Sequence, residues 1–241
     1  MEIILDLFNQ HSGNKSELKR LALQGFLNGA DVAKIQIIDS KRIWGDDSRS
    51  YLEMNYFDVE EIADYCNKIG IGFMATIFNE EHIDWLDKLG VKRYKIASIS
   101  SAFKTKSPNG DKTLCDELLS REKETFISLG LMEKNNFPFG KKENIKYMFC
   151  VAKYPTPLFD NELKKMPKSF KNEGYYGFSD HTLGISAGLK SYFYGAKAIE
   201  KHFTMDNMRQ GITEKGHLCS FNPDSLKTFK NIIEGFRLMN V

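Results

Sequence analysis

Two histidines stand at the ends of short apolar segments, where they could bind a metal ion. His181 closes the segment 179–181, and His202 closes the segment 200–202. Imidazole nitrogens are common ligands of divalent cations, and two of them side by side supply half of a tetrahedral site. Each histidine could instead cap a helix or form a hydrogen bond in the core. If the two segments are neighbours in the fold, the pair predicts a divalent metal site.

Two lysines occur inside apolar runs, which favours burial of their charged groups. Lys34 lies in the run 32–38 and Lys95 in the run 94–98, while Asp6 ends the first apolar run with a carboxylate that could transfer a proton. A lysine in a strand is usually a surface residue or an ion-pair partner. Hydroxyl side chains occupy the ends of other runs or follow them: Thr76, Ser98, Ser128, Tyr154 and Ser179. Ammonium and hydroxyl groups together bind oxyanions, so the pattern predicts a phosphate or carboxylate site.

The elements that must position these groups alternate between strands and helices. Short apolar runs predict strands at 3–5, 32–38, 72–77, 94–98, 125–129, 147–151, 175–179 and 196–202. Helical spacing and capping residues predict helices at 15–28, 58–68, 80–89, 111–121, 141–146, 163–171, 183–194 and 222–238. This alternation favours an α/β fold, a single-domain (β/α)8 TIM barrel over residues 1–241, rather than an open doubly wound sheet. The polar strand ends would then meet at the carboxyl-terminal rim, where barrel active sites lie.

The composition excludes several classes of protein. The 241 residues include 34 basic and 32 acidic side chains, a net charge of +2, so nothing indicates a nucleic-acid partner. No apolar stretch approaches the roughly 18 residues of a membrane span, and we expect no membrane association. The amino terminus lacks a signal-peptide pattern and the four cysteines form no closely spaced pair, which predicts a cytoplasmic protein.

Five segments resemble signature motifs of the sialic acid synthase family and occur in the same order. They are Ala30–Gln36 (GADxxKxQ), Tyr94–Ser98 (YKIxS), Lys153–Pro157 (YPTP), Phe178–Thr182 and Ile199–Thr204. The resemblance implies a TIM barrel that condenses phosphoenolpyruvate with an aldose, commonly an N-acetylated hexosamine. The products would be a nine-carbon, sialic-acid-like (nonulosonic) sugar acid and phosphate.

The resemblance also implies roles for residues at matching positions. His181 and His202 would hold the divalent metal, usually Mn²⁺ in this family, with Mg²⁺ as the alternative. Asp6 stands where the family has a glutamate that handles a proton or a metal-bound water, and we group it with Lys34 and Lys95 as catalytic. The residues around phosphoenolpyruvate would be Lys34, Thr76, Lys95, Ser98, Ser128, Tyr154 and Ser179.

The part of the family pattern that contacts the sugar is changed here. Ile99 and Ser100 replace the glycine and glutamate that usually follow YKIxS, and Ala152 replaces an asparagine before YPTP. The family's acidic residue after the eighth strand falls near Thr213 and Glu214. Full-length members carry a small C-terminal antifreeze-like domain that supplies an arginine to the sugar, and we expect this chain to lack it.

Three functions remain open from the sequence. The first is an active phosphoenolpyruvate-dependent synthase with a different aldose, working in surface-polysaccharide synthesis. The second is a non-catalytic or partner-dependent barrel that keeps the metal and phosphoenolpyruvate site, and the third is a synthase for a shorter aldose. We favour the first, because a protein without chemistry has little need of both histidines and both lysines. The resemblance also makes a homodimer a candidate assembly.

Overall fold

Eight parallel strands form a closed barrel in the computed structural model, which describes residues 1–103, 110–208 and 215–239. The strands are β1 (Glu2–Asp6), β2 (Val32–Ile37), β3 (Gly72–Ile77), β4 (Arg93–Ile96), β5 (Glu124–Ser128), β6 (Ile145–Cys150), β7 (Gly177–Asp180) and β8 (Ala198–His202). Each strand pairs with the next along the chain, and β8 pairs with β1. The closed sheet confirms the predicted (β/α)8 barrel over the open alternative.

Helices lie between most of the strands and pack around the barrel. They are α1 (Lys15–Leu27), α2 (Ser40–Trp44), α3 (Tyr56–Ile69), α4 (Glu81–Lys88), α5 (Ser98–Ser101), α6 (Lys112–Ser120), α7 (Phe170–Glu173), α8 (Ser186–Phe193) and α9 (Pro223–Leu238). Asparagine side chains cap three of the longer helices, because a side-chain oxygen can accept from the unpaired N–H groups of a first turn. These caps are Asn14 on α1, Asn55 on α3 and Asn222 on α9. Among the described residues, no helix has the length and hydropathy required to cross a bilayer.

The helix predicted at 141–146 is wrong. After Gly140 only a short turn precedes β6, which begins at Ile145. The connection is closed by aromatic packing instead, because the ring of Phe137 lies against Tyr147 and Tyr175. The Tyr147 hydroxyl also accepts from the backbone N–H of residue 139 and donates to the carbonyl of Gly140, so the loop needs no helix.

The helix predicted at 163–171 is interrupted. A short 3₁₀ turn covers Leu163–Lys165, and α7 begins only at Phe170. Pro167 explains the break, because a proline biases the residue before it away from the helical region, and Met166 is extended with ψ 133°. Sequence reasoning also missed α2 and α5, two short helices in the loops that follow β2 and β4.

Strand alternation places polar side chains above an apolar plug. One small core cluster fills the amino-terminal part of the barrel interior: Ile4, Val32, Met74, Phe126, Met148 and Ala198. Side chains of a strand point alternately to its two faces, so the residue two positions later returns to the interior, one layer higher. Asp6 therefore lies above Ile4, and Lys34 lies above Val32. The larger core fills the space between the barrel and the helices.

Candidate active site

The first half of the barrel floor is built around the buried ammonium group of Lys34. Its Nζ donates to Asp6 Oδ2 at 2.7 Å and to Thr76 Oγ1 at 3.0 Å. Gln36 Nε2 donates to the same Asp6 oxygen at 2.8 Å, and Asp6 Oδ1 accepts from the backbone of Phe8 at 3.1 Å. Burial alone would raise the pKa of Asp6, but the charge and hydrogen bond of Lys34 lower it to about 2. Asp6 is therefore a carboxylate that holds Lys34 in place.

The second half of the floor is built around Lys95. Its Nζ donates to Ser128 Oγ at 2.8 Å and lies 3.2 Å from Glu200 Oε1, which also accepts from Ser179 Oγ at 3.1 Å. Glu200 Oε2 is 3.9 Å from Lys34 Nζ and, among the described residues, has no hydrogen-bond partner although it is buried. Burial lowers the pKa of Lys95, and Glu200 partly offsets the effect. Glu200 therefore stands between the two lysines.

The two histidines lie side by side above this floor. The Nδ1 of His181 is 2.8 Å from the carbonyl oxygen of Val151, and the Nδ1 of His202 is 2.8 Å from that of Phe8. A carbonyl oxygen can only accept, so each Nδ1 carries a proton, and in the neutral form of either ring the free lone pair is on Nε2. The ring centroids are 5.9 Å apart, and the Tyr154 ring packs 4.1 Å from His181. Burial, reinforced by the neighbouring His202, lowers the pKa of His181 to about 3, so this ring is neutral.

A buried ion pair fixes the strands that carry the histidines. Lys201 Nζ lies 2.9 Å from Asp180 Oδ2, and both side chains are 0% exposed. Lys201 also donates to the carbonyl oxygen of Thr182 at 2.7 Å, while Asp180 Oδ1 accepts from the Thr182 N–H and hydroxyl at 2.8 Å. Asp180 directly precedes His181 and Lys201 directly precedes His202. The ion pair therefore fixes the relative position of β7 and β8 at the end that carries the histidines.

Ser98 lies in the site but not on a strand as predicted. It is the first residue of α5, two positions beyond the end of β4, and its hydroxyl accepts from the N–H of Gly130 at 3.0 Å. A Cβ on Gly130 would lie only 2.9 Å from the Ser98 hydroxyl and from Cys150 Sγ. This close approach explains why a glycine follows β5 at this position.

All the sequence-predicted site residues line one cavity of about 340 Å³ at the carboxyl-terminal rim. They are Asp6, Lys34, Thr76, Lys95, Ser98, Ser128, Tyr154, Ser179, His181 and His202. Gln36 and Glu200, which are also polar residues of predicted strands but were not selected as site residues, line the same cavity. The alternation of side chains along β2 and β8 could have identified both residues. Gln36 lies two positions after Lys34 and Glu200 two positions before His202, so each shares the interior face with a predicted site residue. The positions of Thr213 and Glu214 are outside the described residues.

The sequence matches a profile of the NeuB family over residues 25–239. The chain belongs to the NeuB family. Over 241 residues it is 30% identical to an uncharacterised protein of Methanocaldococcus jannaschii, a match that covers 95% of this chain and 68% of that relative. It is also 28% identical over 270 residues to the N,N'-diacetyllegionaminic acid synthase of Legionella pneumophila, covering 98% of this chain and 71% of that enzyme.

Solved structures share the fold of this NeuB-family barrel. The N-acetylneuraminic acid synthetase of Leptospira borgpetersenii, in complex with citrate, superposes with a TM-score of 0.84 at 23% identity, covering 98% of this chain and 84% of the other. At that identity the likeness shows the common barrel. The family match and the named synthases among the relatives confirm the resemblance drawn from the sequence motifs, and with it a phosphoenolpyruvate-using synthase.

Proposed function

We propose that this chain condenses phosphoenolpyruvate with an N-acetylhexosamine-like aldose, giving a sialic-acid-like nonulosonic acid and phosphate. The observation that carries the proposal is the pair of buried ammonium groups, Lys34 and Lys95, directly beneath two histidines whose Nδ1 atoms are hydrogen-bonded to backbone carbonyls. One half of the site is suited to an anion and the other to a metal ion. A condensation that joins an anionic enol to an aldehyde needs both halves.

The binding of phosphoenolpyruvate rests on charge and on hydroxyl donors. Lys34 and Lys95 are almost fully buried, so their charges act on a ligand with little screening by water. Both lysines contact carboxylates of the protein itself, Asp6 for Lys34 and Glu200 for Lys95. These contacts hold the ammonium groups at fixed positions before the ligand arrives, which reduces the reorganisation that binding requires. We assign the hydroxyl groups of the remaining predicted residues to the same ligand: Thr76, Ser98, Ser128, Tyr154 and Ser179.

The donor set of the histidine pair fits a divalent cation. Both imidazoles donate from Nδ1 to a backbone carbonyl, the arrangement that orients metal-binding histidines in general. Within the described ranges they form no cluster of three or more His, Cys, Asp and Glu side chains, so His181 and His202 would supply two of the ligands of an ion bound there. We propose Mn²⁺, the ion that the resemblance to the sialic acid synthases implies, with Mg²⁺ as the alternative. When bound, the ion would act as a Lewis acid on the aldehyde oxygen of the acceptor.

The proposed reaction is an addition to the enol of phosphoenolpyruvate followed by elimination of phosphate. The enol carbon of phosphoenolpyruvate forms a C–C bond to the aldehyde carbon, and the aldehyde oxygen takes up a proton to become a hydroxyl group. Water adds to the neighbouring carbon and loses one proton. The C–O bond to the phosphate then breaks, phosphate leaves with the electron pair, and the new hydroxyl group on that carbon loses its proton as the keto group forms. The water proton needs an acceptor. We propose Asp6 for this role, although its low pKa makes it a weak base, and Glu200, with an unpartnered oxygen facing Lys34, is the second candidate.

We also propose a domain assignment, a cellular location and an assembly for the enzyme. The barrel, residues 1–241, is the catalytic domain. The four cysteines are unpaired and buried, which supports a reducing compartment and a cytoplasmic location. A homodimer is our proposed assembly, and sedimentation of the purified chain tests it.

The experiment for the function is calorimetric titration with phosphoenolpyruvate, with Mn²⁺ and after chelation, followed by a phosphate-release assay with N-acetylmannosamine. We expect metal-dependent micromolar binding and acceptor-dependent release of phosphate. Binding without release for any aldose would favour the non-catalytic barrel. Release with four- or five-carbon aldoses alone would favour the synthase of a shorter acid. Absence of binding in both conditions would overturn the proposal.

A further inference from the structure

Asn9 lines the active-site cavity but belongs neither to the charged floor nor to the histidine pair. It is 4% exposed and lies three residues beyond the end of β1. Its Oδ1 accepts from Gln10 Nε2 at 3.3 Å, which orients the carboxamide. The Nδ2 atom has no hydrogen-bond partner among the described residues and is not one of their fully enclosed polar atoms. Asn9 therefore presents an unpaired N–H2 group to the cavity.

Barrel closure places this group beside His202. Strand β1 pairs with β8 with Asp6 opposite His202, so the residues that follow the two strands begin side by side. The carbonyl oxygen of Phe8 lies 2.8 Å from His202 Nδ1, and Asn9 is the next residue in the chain. Asn9 is therefore on the metal-binding side of the cavity, above the floor that holds the two lysines.

The segment after β8 packs against the same carboxamide. Gly216 also lines the cavity, and a Cβ at this position would lie 3.7 Å from Asn9 Oδ1 and 3.1 Å from Gln10 Nε2. This close approach of the Gly216 backbone limits the movement of the Asn9 side chain. A donor that is already held in one orientation loses little conformational entropy when it binds a ligand.

The chemistry of the N–H2 group indicates which part of a ligand it binds. A carboxamide is an uncharged donor. The anionic groups of phosphoenolpyruvate are assigned to the ammonium and hydroxyl groups of the floor, so the donor beside His202 is left for the acceptor sugar. Leaving a buried N–H without a partner is unfavourable, and a carbonyl oxygen of the acceptor would remove that cost.

We infer that Asn9 Nδ2 donates a hydrogen bond to the carbonyl oxygen of the acyl group on C2 of the acceptor. The inference rests on the proposed function, because that function places the aldehyde oxygen at a metal ion beside the histidines. C2 is bonded directly to the aldehyde carbon, so the substituent of C2 is the one nearest to His202 and to Asn9. An acylamino group at C2 presents a carbonyl oxygen that matches the open donor.

The test uses N-acetylmannosaminitol, the reduced form of N-acetylmannosamine, because it has no aldehyde and cannot react. It is titrated by calorimetry into the protein saturated with phosphoenolpyruvate and Mn²⁺. We expect Asn9→Ala to weaken its binding by about 10- to 100-fold, the usual cost of leaving a buried carbonyl without its donor. The dissociation constants of phosphoenolpyruvate and of Mn²⁺ should be unchanged in the same variant, since neither ligand contacts Asn9.

A second variant separates the donor from the structural contact of the same side chain. Asn9→Asp keeps an oxygen that can accept from Gln10 and removes the N–H2 group, so it should also bind the reduced sugar more weakly. Asn67→Ala is the matched control, because Asn67 is an exposed asparagine of α3 outside the cavity lining. This control should bind the reduced sugar as the wild type does. Wild-type affinity in either folded Asn9 variant would overturn the inference.

Failure of the inference and failure of the proposed function give different results. If phosphoenolpyruvate produces no heat of binding to the wild type, the proposed function fails and the inference fails with it. If phosphoenolpyruvate binds but the reduced sugar does not, the contact to the acyl group is overturned, while a synthase for another aldose is not. If both Asn9 variants bind phosphoenolpyruvate and the reduced sugar equally poorly, Asn9 supports the site as a whole, and this outcome also overturns the inference.

Discussion

Asp180 and Lys201 form a fully buried ion pair, Oδ2 to Nζ 2.9 Å, between two neighbouring strands that each carry a candidate metal ligand. Neither residue points into the cavity, and neither stood out in the sequence. The carbonyl and amide of Thr182 complete the network on the β7 side. The spacing of the two histidines therefore depends on a charge pair that does not itself touch the metal-binding nitrogens.

Replacing one member of this ion pair should destabilise the folded state. We expect Lys201→Met to lower the free energy of unfolding by about 3–5 kcal/mol, because it leaves the Asp180 carboxylate buried without its counter-charge. The double variant, Asp180→Asn with Lys201→Met, should recover much of the loss. Urea unfolding of the wild type, both single variants and the double variant measures the coupling. Strictly additive losses would show that the pair does not act as a unit.

Removal of Lys95 should weaken the binding of phosphoenolpyruvate. We expect Lys95→Ala to cost about 2–4 kcal/mol of binding free energy, the usual range for loss of a buried charge-assisted contact. Calorimetry measures the dissociation constant directly. Lys168→Ala is the matched control, since Lys168 is an exposed lysine outside the cavity. An unchanged dissociation constant in the Lys95 variant would remove this residue from the anion site.

Removal of His202 should abolish metal binding without unfolding the protein. We expect His202→Ala to weaken Mn²⁺ binding by more than the roughly 10- to 100-fold that is typical for loss of an outer-shell partner. Titration of Mn²⁺ followed by electron paramagnetic resonance gives the affinity, and circular dichroism checks the fold. His217→Ala serves as the comparison, because His217 lies outside the cavity lining. Turnover that persists in the His202 variant after chelation would refute the metal assignment.

The low pKa of Asp6 should make stability fall in acid. Its native pKa of about 2 lies below the unfolded value of about 3.9. At pH values above the unfolded pKa, the ionised carboxylate therefore stabilises the folded state. This contribution is lost as the pH falls through the native value. Between pH 5 and pH 3 we expect it to decrease by about 1 kcal/mol.

Asp6→Asn isolates that contribution, because the amide does not titrate. Urea unfolding of the wild type and the variant at pH 5 and pH 3 gives the comparison. The difference in stability between the two proteins should narrow by about 1 kcal/mol at the lower pH. If the stability difference between wild type and variant is the same at pH 5 and pH 3, Lys34 does not hold Asp6 as a carboxylate.

The sequence by itself determined the strand pattern, and with it most of the site. Short apolar runs set the eight strands, which are four to six residues long, and period-two alternation put Lys34 and Thr76 on the interior face above an apolar plug. Because parallel strands present their carboxyl ends at one rim, polar residues at those ends had to converge. Local rules of this kind can be read without knowing the packing.

The tertiary structure decided what depends on groups far apart in the chain. Barrel closure brings Glu200 of β8 between Lys34 and Lys95, a contact across three strands that no local pattern encodes. The missing helix before β6 has a similar cause, since Phe137 packs on Tyr147 and Tyr175 and makes the helix unnecessary. The cluster of Phe8, Ile43, Phe78 and Ile99 at the cavity likewise forms only when four separate loops meet at one side of the rim. In each case the stabilising free energy comes from contacts between segments that are distant in the chain. The local sequence of a segment does not determine which other segments it will contact.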